Sequence, residues 1–301
     1  MVKIVFSKKF LEHKTVNHPE NRERLDVTVK FLQKHGMKKF EKPDKIGESD
    51  LLAVHSPRLI SQIKNFSLQA EAQSRTLQID DNFFSKNTFE IAMLACGSAL
   101  KAARLCGNEF AFSLARPPGH HAGKDFFMGF CYFNNIAFAV KKIMEEKGFG
   151  KAMILDFDLH HGNGTQNIFL PEQNVYYLSL HQDPSITFPN TGFQHENTMR
   201  IKNVAIEAGA TEDTYLEVFE NEFLQFFERA SPDLLAVSAG FDILGYDTAV
   251  GNKLKIFDTK IFEKMGKIIA VKKVPCFGVL EGGYALEAIG ESVFNFLNAF
   301  K

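Results

Sequence analysis

The sequence predicts an α/β fold, a mostly parallel sheet with helices on both faces. Three observations carry that prediction. Short apolar runs alternate with longer amphipathic ones along all 301 residues. The composition, 45% hydrophobic and 24% charged, is that of an ordinary globular chain. No internal repeat, low-complexity tract or linker interrupts the alternation, so one domain over 1–301 is expected.

The elements follow in order. Short apolar runs predict strands at 2–6, 109–114 ("EFAFSL"), 151–156 ("KAMILD"), 174–180 ("NVYYLSL"), 233–238 ("DLLAVS") and 275–280 ("PCFGVL"). Longer amphipathic stretches predict helices at 21–35, 57–66, 86–106, 132–147, 211–230, 258–272 and 285–299. Phe is abundant at 31 and Trp absent, so phenylalanine supplies much of the expected core.

The totals exclude several classes. With 35 basic and 36 acidic residues the net charge is -1, and no basic excess points to nucleic acid or a membrane surface. Cys96, Cys106, Cys131 and Cys276 form no CxxC pair and no disulfide framework, so a reduced, cytoplasmic location is expected. The apolar part of "MVKIVFSKKF" is too short for a signal peptide. No apolar run reaches the roughly 18 residues that span a bilayer.

Polar clusters follow five of the predicted strands: "ARPPGHHAGKDFFMGF", "DFDLHHGNGT", "HQDPSITFPNTG", "AGFDILGYD" and "EGGY". Parallel sheets bind ligands beyond the carboxyl ends of their strands, so these loops can meet in one site.

Within "ILDFDLHHGNGTQ" (154–166), Asp158 and His160 are two apart and leave an extended backbone on the same side. Such a pair can bind one divalent ion, and Zn2+ accepts both donor types. Catalytic zinc usually takes three protein ligands. Asp242, at the end of another apolar strand and just after a glycine, is the best third candidate. Asp in such places also serves caps and turns. Asp156 lies one pleat further in. It can orient a histidine, join carbonyls around a monovalent cation, or form a buried ion pair.

"RPPGHH" sets His120 beside His121 after a rigid Pro-Pro and a flexible Gly. Adjacent imidazoles can take a proton from water and pass it to a leaving amine, with Asp156 and Asn163 as orienting partners. A structural histidine pair is the plainer alternative. In "EGGY", Tyr284 follows Gly283 in a glycine-rich turn and can donate to a developing oxyanion, or merely pack. Phe130 and Phe188 can wall a narrow channel.

In order and spacing, "RPPGHH", "GFCYFNN", "DFDLHHGNGTQ", "SLH…FPNTG", "AGFD" and "EGGY" resemble the histone deacetylase family, and "HPENRERL" at 18–25 resembles its N-terminal stretch. The first of these and Asn163 lean toward the class II and bacterial amidohydrolase branch. The resemblance implies a single-domain arginase/deacetylase-like fold with a mostly parallel eight-stranded sheet. It implies Zn2+ on Asp158, His160 and Asp242. It pairs His120 with Asp156 and His121 with Asn163, and it gives the substrate carbonyl to Tyr284. Phe130, Phe188, Gly129 and Gly283 then line the acyl-lysine tunnel, and Asp81 in "DDNFF" grips substrate amides at the rim. A structural K+ is implied near Asp156, Asp158, His160, Ser179 and Leu180. Arg24 is implied to line a cavity below the metal.

Two departures stand out. Residue 163 is Asn rather than the Asp of class I relatives, which stabilises an imidazolium at His121 less. "DTAVGN" at 247–252 replaces a stretch often reading "DPLGG", and Ala249 supplies no acid for a polyamine. The expected activity is zinc-dependent removal of acetyl or other acyl groups from an acyl-lysine peptide or protein, with a small acylated amine as the alternative substrate. An acyl-lysine reader without catalysis is the rival from another class. A homo-oligomer is left open.

Overall fold

The computed structural model describes residues 2–107 and 109–301. Its strands are β1 (Lys3–Val5), β2 (Leu77–Ile79), β3 (Asn82–Phe84), β4 (Ala111–Ser113), β5 (Ala152–Asp156), β6 (Val175–Gln182), β7 (Ile201–Ile206), β8 (Leu234–Ala239) and β9 (Cys276–Leu280). Its helices are α1 (Glu23–Lys34), α2 (Pro57–Ala72), α3 (Thr88–Leu105), α4 (Asn135–Lys147), α5 (Asn163–Phe169), α6 (Glu212–Ala230), α7 (Ile261–Ala270) and α8 (Ile289–Asn298). Local chemistry sets several starts. The Ser56 hydroxyl accepts the Leu59 N–H at 3.3 Å and Pro57 opens α2, while Asn134 Oδ1 accepts the Ala137 N–H at 3.0 Å at the head of α4.

Seven strands form one parallel sheet in the order β1-β4-β9-β8-β5-β6-β7, and β2 and β3 make a separate antiparallel pair. Side-chain alternation explains why both faces carry helices. In β5, Met153 and Leu155 pack into one core, and Ala152 and Ile154 into the other. The first core holds Phe219, Phe223, Phe262 and Phe296, and the second holds Leu59, Phe133, Phe138 and Val140. Phe296 is fully buried and meets the Phe157 ring at 5.5 Å; truncating such a side chain to Ala costs about 3–5 kcal/mol.

The expected eighth strand is absent among the described residues. Glu41 makes a single parallel bridge to Val5, with hydrogen bonds of 2.8 Å to Ile4 and 3.0 Å from Phe6. Two positions on, where the next ladder donor is needed, stands Pro43, which has no N–H. The bridge therefore never lengthens into a strand. Four short elements were not expected from sequence: β2, β3, the edge strand β7 and the two-turn α5.

The carboxyl ends line up. Asp156 is opposite Ser179 on one side and Ser238 on the other, and Ser238 is opposite Val279. The loops after β4, β5, β8 and β9 thus begin from neighbouring points on one edge.

Candidate active site

The strand β5 ends at Asp156, and the residues beyond it turn rather than staying extended. Asp156 Oδ1 accepts the Asp158 N–H at 3.2 Å, and Asp158 Oδ1 accepts the His160 N–H at 3.0 Å. The turning chain leaves Asp158 and His160 facing Asp242, which follows β8. Ligand atoms of the three residues all lie within 4.8 Å of one another, and all three residues are buried.

The donor set fits a divalent cation. His160 Nε2 lies 3.1 Å from the Val250 carbonyl, which can only accept, so in the neutral ring Nδ1 carries the lone pair. That Nδ1 sits 3.1 Å from Asp158 Oδ1 and 3.2 Å from Asp242 Oδ2. Asp242 Oδ2 is buried and makes no hydrogen bond. Three electron-rich atoms facing one another away from water need a cation. The carboxylates have few other partners: Gly282 N–H donates to Asp158 Oδ2 at 2.7 Å, and Leu159 N–H to Asp242 Oδ1 at 3.0 Å. A Cβ at Gly282 would stand 2.3 Å from Asp242 Oδ2, so the backbone approaches this closely only as glycine. Burial raises the carboxyls, and imidazolium neighbours then hold Asp158 far down while the Asp158 charge keeps Asp242 up. Burial opposes charge on His160 as well, yet the two aspartates push it up to about 10.

Beside the triad stand His120 and His121, with ring centroids 4.0 Å apart. They differ in partners. His120 Nδ1 is 3.2 Å from Asp156 Oδ2, which also accepts the Tyr177 hydroxyl at 2.9 Å. His121 Nδ1 is 2.8 Å from Asn163 Oδ1, and the Asn163 amide N–H donates to Met128 Sδ at 3.3 Å, which fixes the amide orientation. Both histidines therefore carry a proton on Nδ1, and in the neutral ring the free nitrogen is Nε2. Burial disfavours both imidazoliums. Asp158 and Asp156 outweigh this at His120 and raise it to about 10, whereas the His120 and His160 charges add to burial and hold His121 well below the usual histidine range.

The expected tunnel residues converge on this pair. The Phe188 ring is 5.1 Å from His121 and 6.3 Å from His160, and it is 40% exposed, which places it at an opening. Gly129 has φ +56, and a Cβ there would meet His121 Cδ2 at 2.3 Å. Phe130 stands edge-on to Tyr284 at 5.9 Å and to His18 at 4.3 Å. Asp81 Oδ2 accepts the Gly129 N–H at 3.0 Å, so it braces the backbone at Gly129. Ala249 lies in the turn Thr248–Val250, next to the carbonyl that orients His160.

Tyr284 comes from the turn after β9. Gly283 takes φ +108, and its carbonyl accepts Arg24 Nε at 2.6 Å. The buried Arg24 guanidinium lies 4.6 Å from the Tyr284 ring centroid. Burial raises the phenol well above its ordinary value against the opposing Arg24 charge, with Asp242 and Asp158 adding to the rise, and this keeps it a proton donor. Ser179, in the expected potassium set, gives its hydroxyl to a 2.8 Å contact with His181 Nδ1, and Leu180 beside it is fully buried.

Sequence reasoning missed Glu281, Tyr177 and Asp247. Asp247 Oδ1 accepts the Tyr284 N–H at 2.8 Å. Burial, then the Asp242 charge, raises Asp247 to about 7. Burial likewise raises Glu281 to about 7 against the pull of His120. An acid closing a wholly apolar strand, as Glu281 does after "CFGVL", is the one signal that could have pointed to it.

Comparison with known proteins supplies the family. A family description of the histone deacetylase domain matches residues 18–300. A probable deacetylase of Methanothermobacter thermautotrophicus is 34% identical over 302 residues, covering 98% of this chain and 89% of that protein. An acetylpolyamine amidohydrolase of Mycoplana ramosa is 38% identical over 221 residues, covering 71% of this chain and 63% of that protein. The crystal structure of an acetylpolyamine aminohydrolase from Burkholderia pseudomallei superposes with a TM-score of 0.91 at 26% identity, covering 100% of this chain and 98% of that one. With a matched domain that spans nearly its whole length and a buried triad set beside a histidine pair, this chain belongs to the histone deacetylase family and is a hydrolytic enzyme of the deacetylase and amidohydrolase kind.

Proposed function

We propose that the protein is a zinc-dependent deacylase that hydrolyses the amide of N-ε-acyl-lysine, acetyl-lysine in the first instance. The observation that carries this reading is the Asp158–His160–Asp242 donor set lying beside the His120–His121 pair. Zn2+ would be held by those three residues; when bound it supplies a Lewis acid that polarises a carbonyl and acidifies water. His121, neutral and with Nε2 free of a proton, takes the proton from the attacking water. His120, held by Asp156, balances the charge that develops, and the pair returns a proton to the leaving amine. The Tyr284 hydroxyl donates to the carbonyl oxygen as it becomes negative. Phe130 and Phe188, beside Gly129, which precedes Phe130 in the chain, hold the aliphatic stem, and Asp81 and Gly283 shape the walls.

A structural K+ near Asp156, Asp158, His160, Ser179 and Leu180 is supported by the crowding of buried carboxylates there, with Asp156, Asp158, Asp242 and Glu281 in one site. Four free cysteines support a reducing, cytoplasmic setting. No helix among the described residues is long and apolar enough to cross a membrane.

The acetylpolyamine amidohydrolases among the relatives support a second reading, hydrolysis of a small acylated amine. Side-by-side kinetics on an N-acetyl-lysine peptide and on N-acetylputrescine separate the two. A kcat/KM higher on the peptide supports the first reading, and the reverse supports the second. Release of acetate from neither, by zinc-loaded protein, overturns both.

A further inference from the structure

The loop that carries the histidine pair has an unusual supply of hydrogen bonds. Pro117 and Pro118 have no N–H, so the first backbone donors after Arg116 are those of Gly119 and His120. Both go to one atom: Glu281 Oε2 accepts Gly119 N–H at 2.7 Å and His120 N–H at 3.2 Å. The other oxygen, Oε1, accepts the Ser238 hydroxyl at 3.1 Å. Glu281 is fully buried, so no water replaces these contacts. Two buried N–H groups left unmet would cost about 1–3 kcal/mol each.

The same residue reaches the other side of the site through its backbone. Arg24 Nη2 donates to the Glu281 carbonyl at 2.5 Å, and Arg24 Nε to the Gly283 carbonyl at 2.6 Å. That guanidinium lies under the Tyr284 ring. The adjacent Gly282 N–H grips Asp158. Because β4 and β9 are paired neighbours, with Ser113 opposite Val279, the two loops leave the sheet side by side.

We infer that Glu281 is a positioning residue, which latches the His120–His121 loop to the turn presenting Tyr284 and so fixes the spacing between proton acceptor and phenol. The inference rests on the proposed function for the roles of those side chains. Glu281 touches no substrate. Its carboxylate works through reach, as a double acceptor, rather than through charge.

Two conservative variants separate reach from charge. In Glu281→Gln the amide oxygen still accepts both N–H groups, and its NH2 group can donate to the Ser238 oxygen. In Glu281→Asp the charge stays but the chain is one methylene shorter. On an N-acetyl-lysine peptide or N-acetylputrescine, whichever the zinc-loaded wild type cleaves, Glu281→Gln keeps kcat within about fivefold. Glu281→Asp lowers kcat by roughly 10²-fold with KM little changed, as expected for a misplacement on the scale of an ångström. Zinc content stays close to wild type in both, and the thermal midpoint stays close in Glu281→Gln but falls in Glu281→Asp, where the two N–H groups go unmet. A Glu281→Asp variant with wild-type kcat, or a Glu281→Gln variant that falls as far as Glu281→Asp, overturns the inference.

Amide hydrogen exchange gives a readout independent of turnover. The Gly119 and His120 amides stay protected in Glu281→Gln and exchange at least about tenfold faster in Glu281→Asp, in line with loss of a buried bond. Equal protection in the two variants overturns the latch. Failure of the wild type to cleave either amide overturns the proposed function alone, and the exchange experiment still decides the role of Glu281.

Discussion

Asn163 Oδ1 lies 2.8 Å from His121 Nδ1, so the imidazole that faces the opening leans on a neutral amide rather than a carboxylate. An amide fixes the tautomer without stabilising the imidazolium. His121 is held well below its ordinary value by burial first and by the neighbouring imidazoliums second. A base must be unprotonated to act, so the acid limb of the kcat/KM profile lies at low pH. Asn163→Asp places an anion there, raises the His121 pKa, and shifts that limb upward by about 1–3 pH units. Rate–pH profiles of the two proteins check the direction; an unmoved limb removes His121 from the role of base.

Tyr284→Phe keeps the fold, since Phe130 and Arg24 still pack against the ring. It removes one donor from the developing oxyanion and should lower kcat by roughly 10²–10³-fold with metal content intact. Single-turnover kinetics and metal analysis on the same sample test this.

Asp242→Asn removes the charge of a carboxylate whose Oδ2 has no hydrogen-bond partner. Wild-type protein should gain about 2.7 kcal/mol of stability when free zinc is 100-fold above its dissociation constant. The variant should gain little. Thermal midpoints with and without added zinc report this without any assay of turnover, and an equal gain in both proteins would falsify the triad as the zinc site.

Glu20 is paired with two buried guanidinium groups, Arg116 at 2.6 Å and Arg24 at 3.2 Å. Burial raises its carboxyl, but Arg116 outweighs this and lowers it from 4.5 to about 2. A depressed folded pKa means that the contribution is complete above the unfolded value of 4.5 and is lost as pH falls through about 2. The shift is worth about 3 kcal/mol at neutral pH. Glu20→Gln should therefore be destabilised by about 3–5 kcal/mol at pH 7. Its stability should fall less steeply than that of wild type between pH 4.5 and 2. Urea midpoints across that range measure both.

Gly129→Ala adds a methyl group that would sit 2.3 Å from His121 Cδ2, at a backbone angle of φ +56 that also disfavours alanine. Turnover should drop well over tenfold, because a displacement of about 1 Å at a reacting group costs up to 10²-fold. A wild-type kcat in this variant would show that the tunnel wall yields.

Much of the architecture was legible because the two cores bury the central strands on both sides, which writes them as continuous apolar runs. The apolar runs of β5, β8 and β9 are hydrophobic on both faces and stand out in sequence. The edge strand β7 does not: "IKNVAI" carries the partly exposed Lys202 and the buried Asn203, whose amide donates to Gln166 Oε1 at 2.9 Å. The site was legible where motif residues act through side chains close in sequence, as Asp158 and His160 do. Glu281 and Asp247 were not, because their partners are backbone N–H groups 162 and 37 residues away. A backbone amide has no letter of its own in a sequence. The eight-strand expectation failed at Pro43, where a single missing donor stops a ladder.

The working groups leave the sheet from β4, β5, β8 and β9, neighbours in space that are separated by long stretches of chain. Half of the polypeptide cannot build half of the site. The last strand, β9, inserts between β4 and β8, so the crevice takes shape only once nearly the whole polypeptide has been made. Catalytic competence should thus appear late and all at once during synthesis or refolding, which makes it a sensitive report on whether the final third of the molecule has docked.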